Sequence, residues 1–348
     1  NPPAYNKSVR EFDIVTLDRV RKISIQADTD VWLEYAGEKG IHGAILSYLS
    51  LKKENFYMVE NTVDGKFFVT ARGWEDLSEI LKSYEELQVE IGEELIGEFL
   101  QKEEIARDFA GYYRLYEKYK SDYQIQEILD GNVISGQLKT CCDMGKKASF
   151  EERFTVTEML LEAVTERISV FQKIDEKTEK LYENLKLLKI FLQEKNSVEA
   201  MEQFVASRRK ALDAKICSEL LTAEEAAREE EQIRILEEYF FQLKELHISD
   251  VAEGIEQIGE RFGNVCRLRN EKLEETKKML EQAFSFLEEC FGEGQELLLF
   301  ETGLTGDDRC SIFISQYGCP SYFKHCELLL YSKKENELRK ECRDLLEE

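Results

Sequence analysis

From Leu160 to Leu192 apolar residues return after four and then three positions: Leu160, Val164, Phe171, Ile174, Leu181, Leu185, Leu188 and Leu192, with Arg167 and Thr178 filling two places of the series. A repeat near 3.5 residues, kept up for about four heptads, fits a long α-helix with one apolar stripe; a strand would alternate with period two. The two polar interruptions favour a helical bundle over a dedicated dimer zipper. Three more long helices follow the same logic. Asn196-Ser197 begins one that runs to about Leu221. Thr222-Ala-Glu-Glu225 is a capping box for the next, which carries Ile233, Leu236, Phe240, Leu243 and Leu246. Ser249-Asp250 caps a fourth, with Val251, Ile255, Ile258, Phe262, Val265, Leu273, Leu280, Phe284 and Leu287 on its stripe. Thr155-Val-Thr-Glu158 reads as the capping box of the first. Short turns between such helices fold them back as an antiparallel arm over residues 150–292.

Upstream the pattern is shorter and more varied. Asp28 to Asp30 is a turn with capping chemistry, and Val31 to Leu51 reads as helix broken near Gly37–Gly40. Two aromatic, β-branched runs around Asp64-Gly65 predict a hairpin over about 56–70. Helices are expected through Tyr84–Phe99 and Glu103–Tyr119. The aromatic stripe Ile105, Phe109, Tyr112, Tyr113 and Tyr116 on the second of these is read as packing. Gly131 to Ser149 reads as a break and the main boundary. Beyond the arm, Glu296–Phe300, Cys310–Ile314 and Tyr317–Phe323 are denser in apolar residues, and Leu328 opens a charged terminal helix. The expected fold is mainly α: a short strand-and-loop segment at 1–27, a helical domain with a β-hairpin at 28–130, the long-helix bundle or coiled-coil arm at 150–292, and a compact helical cap at 293–348.

At 348 residues with 43 % hydrophobic content, the chain is long enough for two or three units. A net charge of −24 argues against a nucleic-acid or anionic-membrane surface. Only the opening is locally positive, because Lys7, Arg10, Arg19, Arg21 and Lys22 outnumber Glu11, Asp13 and Asp18. The nine cysteines are odd in number and scattered, which points to reduced thiols and a cytoplasmic location. No apolar run reaches the ~18 residues a membrane span needs.

The opening residues carry three polar elements in order: Asn1-Pro2, Arg10 before Phe12-Asp13, and Leu17-Asp18-Arg19. An apolar tail follows, with Val20, Ile23 and Ile25. After the predicted hairpin comes Thr70-Ala-Arg-Gly-Trp-Glu-Asp-Leu77. This order and spacing resembles the MoxR-type AAA+ ATPases over roughly residues 1–125. The resemblance implies that residues 1–27 are the end of an α/β ATPase core, that 28–130 is its lid, and that the chain is the C-terminal part of a longer protein. It implies roles for four residues: Asn1 as the first sensor, Arg19 as the arginine finger with Arg10 in reserve, and Arg72 as the second sensor on the lid. It further implies ATP and magnesium as cofactors of the full-length protein, a homo-oligomeric ring, and protein partners, among them proteins with a von Willebrand factor A domain. The arm and cap resemble the C-terminal extension of some bacterial members more weakly.

The chain departs from the family pattern in having no G-x-x-x-x-G-K-[ST] and no apolar strand ending in paired acids ahead of Asn1. On this reading, residues 1–348 alone bind no cofactor and do not hydrolyse ATP. A rival expectation is a non-enzymatic helical scaffold that binds protein partners along the arm. Cys310, Cys319, His325 and Cys326 lack paired C-x-x-C spacing, so core thiols and a surface histidine are expected there and no metal site. His42 and His247 have no nucleophile pattern nearby.

Overall fold

In a computed structural model, residues 18, 19, 21, 26–62, 65–131, 135–191, 197–248 and 250–329 are described. The segment holding Asn1 and Arg10, the apolar tail at Ile23 and Ile25, and the terminal helix beyond Leu329 lie outside them. Among the described residues the chain is mainly α-helical, with one two-stranded antiparallel sheet. It divides into two units, Asn1–Tyr116 and Glu117–Glu348.

The first unit begins with α1 (Thr29–Lys39), which starts where the Asp28 carboxylate accepts the amides of Asp30 and Val31. It stops at Gly40, whose left-handed backbone (φ 65°) lets its N–H reach the carbonyls of Ala36 and Gly37. A second helix, α2 (Gly43–Leu51), is capped by His42, whose Nδ1 accepts the Ala44 amide at 3.1 Å. The hairpin then pairs β1 (Met58–Thr62) with β2 (Gly65–Val69), Met58 opposite Val69 and Thr62 opposite Gly65. Helices α3 (Ala71–Glu86), α4 (Glu93–Phe99) and α5 (Glu103–Tyr123) follow. The expected single helix over Tyr84–Phe99 is broken: α3 ends at Glu86, Gln88 adopts a left-handed conformation (φ 55°), and α4 starts after Gly92. The core is aromatic. Tyr48, Trp74 and Phe109 stand 5.1–5.8 Å apart, ring to ring, and all three are fully buried.

The division between units falls inside α5. Beyond it come α6 (Ile125–Asp130) and α7 (Ser135–Gly145), so the glycine-bearing segment read as a break contains a helix. Next are α8 (Phe150–Phe191), α9 (Ser197–Cys217), α10 (Ala223–Glu245) and α11 (Val251–Phe291). Three short helices close the described chain: α12 (Gln295–Gly306), α13 (Asp308–Tyr317) and α14 (Pro320–Leu329).

Helix α8 starts six residues earlier than Thr155 predicts. The Ser149 hydroxyl accepts the Glu152 amide at 3.2 Å, and Thr155 instead sits inside the helix, its hydroxyl bonded to the Glu151 carbonyl at 2.7 Å. Ser149-Phe-Glu-Glu152 has the same Ser/Thr-x-x-Glu form, and the helix starts from it. Along α8 the buried stripe steps from Val164 to Ile168 and Phe171. Arg167 is thereby displaced from the core face and pairs with Asp130 and Gln126. The expected antiparallel return is present: Asp175 meets Arg269 and Tyr182 stacks on Phe262, so α8 and α11 run in opposite directions. Arg209 with Glu237 and Lys215 with Glu229 show the same for α9 and α10. Leu181, Leu188, Met201, Phe204, Leu236 and Leu243 lie in one core between the four helices.

The Thr222 capping box is complete: its hydroxyl accepts the Glu225 amide at 3.2 Å, and the Glu225 carboxylate accepts the Thr222 amide at 2.8 Å. Thr222→Ala is therefore expected to lower stability by about 0.5–2 kcal/mol, read as a lower urea midpoint, while Thr222→Ser keeps it. An unchanged midpoint in Thr222→Ala would contradict a stabilising cap.

Candidate functional site

The sequence places its lid contact at Arg72, and the local fold presents that residue at the surface. β2 ends at Val69, Thr70 stays extended (φ −139°, ψ 160°), and its hydroxyl accepts the Gly73 amide at 3.2 Å. Arg72 thus lies in the first turn of α3, exposed, where the leading amides of a helix lack carbonyl partners and the helix dipole is positive. Neither Arg72 nor Arg19 forms a hydrogen bond or ion pair with another described residue. Arg19 is also exposed, beside Asp18 in a short helical turn. Asn1 and Arg10 lie outside the described residues.

The platform under Arg72 is tightly fixed. Trp74, one turn into α3, is fully buried, and its indole N–H donates to the Phe56 carbonyl at 3.0 Å, just ahead of β1. The Gln101 amide donates to the Phe68 carbonyl at 3.2 Å, tying the α4–α5 connection to β2. Lys102 pairs with Glu60 of β1 at 2.5 Å. Gly73 lies so near the end of α4 that a Cβ there would come within 2.8 Å of the Phe99 carbonyl oxygen. An exposed guanidinium on a helix start held in this way can contact an anion, phosphate included, without first breaking a bond within the fold.

Two polar networks brace the same unit. His42 Nδ1 accepts a backbone amide, so Nε2 carries the ring hydrogen and donates to Glu85 at 2.8 Å; the Tyr113 hydroxyl donates to the same carboxylate at 2.9 Å. Asp108 accepts from the Tyr48 hydroxyl at 2.7 Å and pairs with Lys52 at 2.6 Å. Burial acts to raise the Asp108 carboxyl pKa, but the bonds from Lys52 and Tyr48 outweigh it and hold the pKa below the usual carboxylate value. Burial, then Asp108, pushes the Tyr48 phenol up, which keeps it the donor. The aromatic stripe on α5 is packing, as read: Ile105, Phe109, Tyr113 and Tyr116 are buried.

Three of the residues weighed as metal ligands go to separate neighbours; the side chain of the fourth, Cys326, lies outside what is described. Cys310 lies 3.5 Å from the Thr165 hydroxyl, and the Cys319 thiol donates to Glu281 at 3.3 Å. Burial pushes both thiols up to about 12, so both keep their protons. Among the described residues no group of three His, Cys, Asp or Glu side chains is arranged to hold a metal ion. His325 is not at the surface. It is buried, with Nε2 against Glu288. Sequence inspection misses this placement because its partner Glu288 lies 37 positions away, at a spacing that carries no motif.

No protein-family model, no curated protein and no solved structure matches this chain. No described helix is long and apolar enough to cross a membrane.

Replacing Gly73 with Ala tests the platform. Helix propensity alone would favour Ala by about 1 kcal/mol, but the added Cβ meets a backbone oxygen that cannot turn aside. Gly73→Ala is expected to destabilise the first unit by about 1–3 kcal/mol, measured by urea unfolding. A stabilised variant would contradict the close approach of α3 to α4.

Proposed function

We propose that this chain is the lid and C-terminal helical region of a MoxR-type AAA+ ATPase, in which ATP binding and hydrolysis drive the remodelling of partner proteins. The observation that carries the reading is Arg72: an exposed guanidinium, without a partner among the described residues, in the first turn of a helix that directly follows a hairpin, in ordered series after Asn1-Pro2 and Asp18-Arg19. In this reading Arg72 is the lid's contact to the nucleotide, and it reports the state of the terminal phosphate to the helices behind it through the Trp74 and Gly73 contacts. Arg19, also exposed, is the finger that neutralises charge developing on a neighbouring subunit's phosphate, with Arg10 in reserve. Asn1 orients the attacking water. ATP with magnesium supplies the phosphoanhydride whose cleavage drives the cycle, and the groups that cradle it belong to a phosphate-binding loop outside residues 1–348. The arm of α8–α11 is the part that meets partner proteins, von Willebrand factor A domain proteins among them, around a homo-oligomeric ring working in the cytoplasm.

A second reading, a helical scaffold without ATPase activity, is favoured by the exposed apolar side chains of the arm, among them Tyr182, Ile190, Phe241 and Leu246. ATP turnover separates the two. In the protein carrying the phosphate-binding loop, Arg19→Ala is expected to lower turnover by about 10³-fold or more. Arg72→Ala is expected to lower it by about ten- to a hundredfold, the loss of one charge-assisted hydrogen bond. Turnover unchanged in both variants would overturn the assigned roles; no turnover in the parent protein, with partner binding retained, would favour the scaffold.

A further inference from the structure

Where α11, α12 and α14 meet, α12 contributes a buried acid and α14 a buried imidazole, and the proposed function uses neither. His325 of α14 is 1 % exposed and stacks almost parallel on Phe284 of α11 (5.9 Å, 11°). Phe284 in turn meets Phe300 of α12 edge-on at 5.3 Å. The imidazole Nε2 contacts Glu288, which Lys324 also holds at 3.0 Å, whereas Nδ1 has no partner. Next to Phe300 lies Glu301, also 1 % exposed, with its Oε1 unpartnered. An ionised carboxylate buried without a hydrogen-bond donor is strongly disfavoured, so the packed state favours the protonated form of Glu301.

We propose that Glu301 and His325 form a proton-controlled latch that seats α14 on α11 and α12, tight while Glu301 is protonated and weakened once it ionises. Burial pushes the Glu301 carboxyl up to about 7, with His325 pulling it the other way. Ionised, Glu301 would put a second negative charge, beside that of Glu288, into this junction, buried and with no donor on its Oε1. Three other carboxylates on or beside these elements are already engaged. Glu281 of α11 accepts from Cys319 and Ser321, Glu296 of α12 pairs with Arg153 of α8, and Asp307 pairs with Arg309 of α13. Against α12, α8 sets Leu161 beside Gly303. Farther along α8, burial and then Glu162 push Glu158 up to about 7 as well, so a global unfolding curve would mix two acids and a readout local to α14 is needed.

The direction follows from linkage. An acid with a raised pKa in the packed state binds its proton more tightly there than when hydrated. Its stabilising effect is complete below the ordinary value of 4.5 and is lost as pH rises to about 7, after which nothing more changes. Glu288 has the opposite sign. Burial raises it, but the bonds from Lys324 and His325 prevail and lower it, so its contribution is lost only in more acidic solution, below the window.

Hydrogen exchange of the amides of residues 321–329 in the full chain, corrected for intrinsic rates, tests the latch. Protection is expected to fall about tenfold per pH unit between pH 5 and 7 and to level off above. Glu301→Gln should flatten this dependence and Glu158→Gln should leave it intact. A carboxyl-carbon NMR titration of Glu301 in the unaltered chain provides an independent reading if the Gln variant misfolds, with a midpoint expected near 7. Protection that is flat across this range, or that falls equally in Glu301→Gln, would overturn the proposal, as would a Glu301 midpoint in the ordinary range near 4.5.

Discussion

The second unit depends on one antiparallel pairing, that of the 42-residue helix α8 with the 41-residue helix α11. Its fixed point is Arg269. The guanidinium bonds Asp175 of α8 at 2.6 Å and the Tyr317 hydroxyl at 2.6 Å, and lies 5.3 Å from the ring centres of both Phe171 and Tyr317. Tyr317 also donates to Asp175 at 2.7 Å. Three helices, α8, α11 and α13, therefore meet at one planar cation whose donors and faces are both used. Such a site fixes register where an apolar seam alone would permit sliding, because a shift of one turn would strand a charge in partly buried surroundings. From this point the arm extends in one direction and the short helices α12–α14 pack in the other.

The first unit relies on aromatic packing rather than on charge. Tyr48, Trp74 and Phe109 come from three different helices, and Trp74 also bonds the chain ahead of the hairpin. This places the start of α3 at a fixed distance from β1 and β2. On the proposed reading, that rigidity is what Arg72 requires: a contact that reports on a phosphate transmits its state only if the helix behind it moves as a body. The two polar networks, His42–Glu85–Tyr113 and Lys52–Asp108–Tyr48, join helices of the same unit and oppose its distortion.

Much of the helical architecture could be read from periodicity and caps. Thr222-Ala-Glu-Glu225, Asp250 and Asp28 each start a helix where local chemistry says they should, because a cap acts within four residues. The errors have separate causes. Thr155 has the form of a cap, but Ser149 offers the same chemistry six residues earlier and takes the Glu152 amide. Arg167 falls in the heptad series, but Ile168 takes the core place, since a series of fours and threes tolerates a slip of one residue. Tyr84–Phe99 reads as continuous until Gly92 and the left-handed Gln88 interrupt it. The exposure of Arg72 follows from its place in the first turn of a helix. The burial of His325 against Glu288 depends on packing between distant segments, and no local pattern carries it.

The central claim is that Arg72 stands at a nucleotide's terminal phosphate. Photoaffinity labelling tests it most directly, using ATP with a photoreactive group on that phosphate, added with magnesium to the protein that carries the phosphate-binding loop. The label is expected on residues 70–74 and to be displaced by unmodified ATP. Displaceable label confined to other segments, with residues 70–74 unmodified, would contradict the claim.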